Sequence, residues 1–117
     1  LIRIGDAASL DAFLEGSYGA LGRVDVLVNN ASAMAMVLPD EDEAWRSSFT
    51  VDMMGAARAT RKVIPWMAAN GGGSIIHISS LSGRAGGPPG DVGFAGSPAA
   101  YAAMKAALIS HSKTLAT

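Results

Sequence analysis

The chain has no cysteine, which excludes disulfides, thiolate metal sites and cysteine nucleophiles. It is also poor in charge. Only 16% of its 117 residues are Asp, Glu, Lys or Arg, where an ordinary soluble chain carries about 25%. Neither sign prevails. A formal net charge of -1 leaves no basic field, so neither nucleic acid nor membrane is expected as a partner. Long apolar runs are missing: none approaches the roughly 18 residues of a membrane span. Arg3 and Asp6 interrupt the opening stretch where a secretory leader needs an unbroken apolar core. A cytoplasmic location is the resulting expectation, and no metal site is expected.

What is present is apolar. Hydrophobic residues make up 50% of the chain, and 14 glycines come on top of that share. Such a composition excludes intrinsic disorder, which needs low hydrophobicity and high net charge. The length suits a single domain over residues 1–117, or part of a larger one. The chain opens on Leu1 in an apolar run and stops at Thr117 inside a helical pattern, so it reads as an internal fragment of a longer protein.

Six elements are expected. Leu1 to Ile4 reads as a buried strand closed by Gly5-Asp6. Ser9 is placed to cap a helix carrying Leu10, Phe13, Leu14, Tyr18 and Leu21, which Gly19 and Gly22 bring to an end. Val24 to Val28 reads as a strand buried on both faces. The acidic stretch from Pro39 to Asp42 precedes a long helix with Trp45, Phe49, Met53 and Ala56 near one stripe, ended or kinked at Pro65. Ser74 to Ser80 reads as a third strand, and 83–98 as a Gly/Pro-dense loop that is a candidate substrate-binding segment. Ala99 to Leu115 reads as the last helix. Alternating strands and helices of this kind predict an α/β fold: about three strands and three helices in a parallel sheet covered on both faces.

In open parallel sheets ligands bind beyond the carboxyl ends of the strands. Polar residues gather there: Asp6, then Asn29-Asn30, then Ser79-Ser80. Tyr101 and Lys105 follow just inside the last helix, four residues apart and so on one face. A free tyrosine is a poor base near neutrality, and a neighbouring ammonium favours its phenolate. A phenol tuned in this way exchanges a proton with a carbonyl or alcohol oxygen, and a serine hydroxyl can hold the same oxygen. The pair supplies no hydride, so oxidoreduction here needs a bound cofactor.

Together these motifs resemble the short-chain dehydrogenase/reductase family. Asp25-Val26-Leu27-Val28-Asn29-Asn30-Ala31-Ser32 is similar to its strand-and-loop motif Asn-Asn-Ala-Gly. Gly73 to Ser80 looks like its catalytic-serine strand, and Tyr101-Ala102-Ala103-Met104-Lys105 matches Tyr-x-x-x-Lys. Trp45 through Met67 is similar to its long interface helix. The resemblance spans essentially the whole chain. It implies a partial Rossmann-type doubly wound sheet, with the glycine-rich phosphate turn upstream of Leu1 and the last strands beyond Thr117.

The resemblance also implies roles. Tyr101 is the acid/base, Ser80 orients the substrate, and Lys105 assists the tyrosine and binds the nicotinamide ribose. Asn30, Ala31, Tyr101 and Lys105 line the cofactor, NAD or NADP, and Asp6 meets its adenine. The implied activity is carbonyl–alcohol interconversion by hydride transfer on a small molecule, in a homodimer or homotetramer. The isolated fragment is expected to be inactive. Two other readings stay open: an NAD-dependent epimerase or dehydratase, and a non-catalytic dinucleotide-binding protein. The chain departs from the family in three places. Asp52 stands where many relatives have an asparagine that supports a water-linked proton path to the lysine. Ser32 replaces a glycine. Ser80 and Tyr101 stand 21 positions apart, several more than in many relatives. His77 reads as a packed strand residue, and His111 lacks a catalytic context.

Overall fold

The computed structural model describes residues 1–86 and 98–116, and at Met36 the backbone alone. Its elements run α1 (Ala7–Leu21), β1 (Val26–Asn29), α2 (Glu41–Ser48), α3 (Ala56–Ala69), β2 (Ser74–His77), α4 (Ser82–Ala85) and α5 (Pro98–Leu115). A 3-10 turn at Ala35–Val37 precedes α2, and a π-helical segment at Phe49–Gly55 joins α2 to α3.

β1 and β2 pair in parallel, from Val26 opposite Ser74 to Asn29 opposite His77. Parallel neighbours need a long crossover, and the α2–α3 rod supplies it. The run Leu1–Ile4 does not form the expected first strand. Asp6 N–H turns back onto the Arg3 carbonyl at 3.0 Å, and Leu1 is fully exposed. A strand exists only where a neighbour completes its ladder, and among the described residues none lies beside this run. The sheet therefore has two strands there, not three.

Coverage on both faces is also corrected. Leu27 and Ile75 pack on the core of Leu10, Leu14, Ala59, Val63 and Met67, which α1 and α3 supply. Alternation sends Val26, Val28 and Ile76 to the opposite face, where they are 55%, 52% and 43% exposed.

The cap of α1 is Asp6, not Ser9. Its Oδ1 accepts the Ser9 N–H at 2.7 Å, and Ser9 Oγ instead accepts the Arg3 N–H at 2.9 Å. At the other end Gly22 turns left-handed, with φ 76°, and its N–H closes onto the Tyr18 carbonyl at 2.8 Å.

Asp40 caps α2 through the Glu43 N–H at 2.7 Å, with acids filling the first turn. The backbone stays right-handed helical across both ends of the π segment, so α2 and α3 form one rod. Pro65 neither ends nor interrupts α3, which continues to Ala69. Proline leaves the Arg61 carbonyl without its helical donor, but both residues are exposed, so that carbonyl is open to solvent. Along the predicted stripe the aromatic members face outward, Trp45 39% and Phe49 50% exposed, whereas Ala56 is buried. The inward face is small, with Ala44, Ser48, Asp52, Gly55 and Ala56. Small residues let α5 lie close against α2 and the π segment.

α5 starts one residue before its predicted first position and ends at the predicted last one. α4 occupies the start of the predicted loop, and residues 87–97 of that loop lie outside the described residues.

Candidate active site

The ends of both strands and the first turns of α5 meet at one edge of the sheet. The Ile78 N–H donates to the Asn29 carbonyl at 3.0 Å, which keeps the two strand ends level. Two further bonds fasten α5 there. Lys105, only 3% exposed, donates from Nζ to the Ile78 carbonyl at 2.8 Å. Ser79 Oγ donates to the Lys105 carbonyl at 2.7 Å. Helical spacing then sets the Lys105 ammonium 5.5 Å from the centroid of the Tyr101 ring. Ser80, the next residue along, accepts the Ser82 N–H on Oγ at 3.2 Å and opens the turn into α4. Tyr101 and Lys105 are thus brought to the segment 78–80 that follows β2. The serine pair divides its work, Ser79 anchoring α5 and Ser80 standing at the mouth of the turn.

Between α1, β1 and the rod lies a crevice of about 90 Å³, whose lining runs from Leu10, Phe13 and Leu14 to Asn30, Ala31 and Asp52 near the β1 end. Asn30 and Ala31 are exposed. Asn29 turns inward instead and donates from Nδ2 to Thr60 Oγ1 at 3.2 Å. Asp6 stands apart from the tyrosine and lysine, at the head of α1. Left-handed backbone falls at Met34, φ 49°, and not at Ser32, so a serine in place of the glycine causes no strain there. Ser32 Oγ accepts the Met34 N–H at 3.2 Å.

Asp52 is 1% exposed, and its Oδ1 accepts the Ala33 N–H at 2.8 Å, tying the loop after β1 to the rod. Its Oδ2 and the Ser48 Oγ one turn earlier are buried without a hydrogen-bond partner among the described residues. An asparagine keeps an oxygen for the Ala33 N–H and replaces the partnerless carboxylate oxygen with a neutral amide. Asp52→Asn is therefore expected to raise stability by about 1 kcal/mol, read as a higher urea midpoint. A lower midpoint would contradict this account.

Sequence reasoning missed Ser48 and the anchoring role of Ser79. Neither carries a motif; both are defined by what packs against them. Among the described residues no group of three or more His, Asp or Glu is arranged to hold a metal ion. No helix among them is long and apolar enough to cross a membrane.

Known proteins resemble the chain along nearly its whole length. The profile described as short chain dehydrogenase matches residues 2–117. An isoepoxydon dehydrogenase of Penicillium expansum is 37% identical over 113 residues, covering 94% of this chain and 40% of that protein. A 3-oxoacyl-[acyl-carrier-protein] reductase of Thermotoga maritima is 31% identical over 118 residues, covering 99% and 45%. The crystal structure of a short-chain dehydrogenase from Streptomyces avermitilis superposes with a TM-score of 0.77 at 31% identity, over 97% of this chain and 40% of that one. An NAD+-bound xylitol dehydrogenase shares the fold, with a TM-score of 0.82 at 21% identity, over 97% of this chain and 42% of that one. The chain thus spans less than half the length of these relatives. With strand-end motifs, helix spacing and profile in agreement over nearly every residue, the chain belongs to the short-chain dehydrogenase family.

Proposed function

We propose that the protein carrying this chain is a nicotinamide-dependent oxidoreductase that interconverts a carbonyl and an alcohol on a small molecule. One observation carries the reading: a buried ammonium, tethered to the Ile78 carbonyl, lies beside the Tyr101 ring at the end of the strand leading to Ser80.

The residues present suit part of a nicotinamide dinucleotide. An ammonium has three N–H donors. Lys105 commits one to Ile78, leaving two that suit the adjacent hydroxyls of a ribose. The exposed Asn30 and Ala31 border the crevice and suit the same end of the cofactor. Asp6 keeps its Oδ2 for an adenine amine while Oδ1 caps α1. Either NAD or NADP is compatible with these contacts.

When bound, the cofactor supplies or accepts the hydride. The chain's own residues handle the oxygen. In reduction the Tyr101 hydroxyl gives its proton to the carbonyl oxygen, and in oxidation it takes the proton of the alcohol. The Ser80 hydroxyl donates a hydrogen bond to that oxygen and fixes its direction. Lys105 places positive charge beside the ring when the phenol loses its proton. The outward Trp45 and Phe49 on the rod suit an interface between copies, in a homodimer or homotetramer.

Deuterium carried at C4 of the reduced nicotinamide tests the reaction type. With a panel of ketones and aldehydes, the label is expected on the carbinol carbon of the product. Absence of label on that carbon, with product formed, would reject hydride transfer.

A further inference from the structure

The chain has two histidines, and the fold brings them into contact. His77 Nε2 on β2 and His111 Nδ1 on α5 are 3.1 Å apart, with ring centroids 5.1 Å apart and planes tilted by 36°. On its other side His77 Nδ1 lies 3.1 Å from Asn29 Nδ2, the amide nitrogen that also donates to Thr60 Oγ1. One line of polar contacts therefore crosses from α3 through β1 and β2 to α5.

The direction of that line follows from the donor inventory. An amide nitrogen has only hydrogens to offer, so Asn29 donates and His77 Nδ1 accepts. A neutral imidazole that accepts on Nδ1 carries its proton on Nε2. His77 Nε2–H then donates to His111 Nδ1. Each ring is uncharged in this arrangement, and a second proton would meet a donor already in place. On His77 it would occupy Nδ1 and face the Asn29 N–H₂. On His111 it would occupy Nδ1 and face the His77 N–H.

We infer that Asn29, His77 and His111 form a brace that fastens α5 to the sheet while both rings are neutral and slackens when either is protonated. The surroundings do nothing to shelter a positive ring. Neither β1, β2, α3 nor α5 contains an Asp or Glu. The charged side chains nearest in sequence on these elements are cationic: Arg61 beside Thr60, and Lys105 and Lys113 on α5. Of the acids on elements packed along α5, Asp52 is bonded to the Ala33 N–H, and Glu41, Asp42 and Glu43 of α2 are exposed. Burial first, and the charge of His111 second, hold the His77 imidazole below its ordinary value of 6.5. A depressed histidine favours the folded state above that ordinary value and loses the contribution as pH falls below it.

β2 leads into Ser79-Ser80 and α5 carries Tyr101 and Lys105, so a slack brace loosens the two elements that bear the proposed catalytic groups. That consequence alone rests on the proposed reaction; the brace itself does not.

The test uses the full-length protein that carries this chain, without substrate or cofactor, so its result is independent of whether the protein catalyses anything. Thermal unfolding is compared at about pH 7.5 and about pH 5.5, either side of an ordinary histidine. The unaltered protein is set against His77→Thr/His111→Phe, which removes both rings of the brace. The melting temperature of the unaltered protein is expected to fall by about 4–8 °C across this interval, and that of the double variant by less than half as much. Imidazole nitrogen shifts of the unaltered protein at the higher pH are expected to place the His77 proton on Nε2. An equal fall in both proteins, or a His77 proton on Nδ1, overturns the inference. If the double variant does not fold, the nitrogen shifts decide alone.

Discussion

Replacing Tyr101 with phenylalanine is expected to lower turnover by roughly 10²–10⁴-fold, the usual contribution of a positioned acid or base. The change removes one oxygen and nothing else. The ring keeps its place beside the Lys105 ammonium, 5.5 Å from its centroid. Lys105 keeps its bond to the Ile78 carbonyl, so the ribose contacts proposed for it survive. Cofactor affinity should accordingly change by no more than about tenfold, since a single hydrogen bond is worth roughly 0.5–1.5 kcal/mol net. Steady-state rates with the responsive carbonyl substrate, beside a cofactor titration, separate the two effects. Near-normal turnover would remove Tyr101 from the chemistry.

Gly83→Ala is expected to cost about 3 kcal/mol, the upper end of ordinary overpacking. A Cβ at this position would stand 2.6 Å from the Lys105 carbonyl carbon and 2.8 Å from both the Lys105 oxygen and the Ala106 nitrogen. These are backbone atoms in the middle of α5, which cannot step aside as a side-chain tip can. The helix must move as a body. Moving it stretches the Ser79 and Lys105 bonds that seat α5 on the strand end. Stability and turnover should therefore fall together, unlike in Tyr101→Phe, where turnover alone falls. Denaturant midpoints measured beside rates would show this. An unchanged midpoint would mean that α4 and α5 are not held in this close approach.

Much of this was legible in the residues, because it rests on local rules. The limits of α5 follow from an alanine-rich run free of internal glycine and proline, and the Tyr101–Lys105 juxtaposition is a property of any helix. What sequence could not supply depends on neighbours distant in the chain. Leu1–Ile4 has strand composition, but composition does not provide a ladder. Val26 and Val28 read as buried because valine usually is, whereas their exposure depends on which helices lie over the sheet. The stripe of Trp45, Phe49, Met53 and Ala56 does not say which side of the helix is inward, and the closeness of α5 selects alanine, serine and glycine for that face. His111 looked unconnected until the fold set it against His77.

The bare face of the sheet has a practical consequence. Val26, Val28 and Ile76 form an oily strip beside a β1 edge that has no bonded neighbour among the described residues. Hydrophobic area next to open peptide groups invites another strand to add on, whatever its origin. For the 117-residue stretch expressed by itself, solubility becomes a function of concentration, and dilution or a grafted layer over that strip is what would keep it monodisperse.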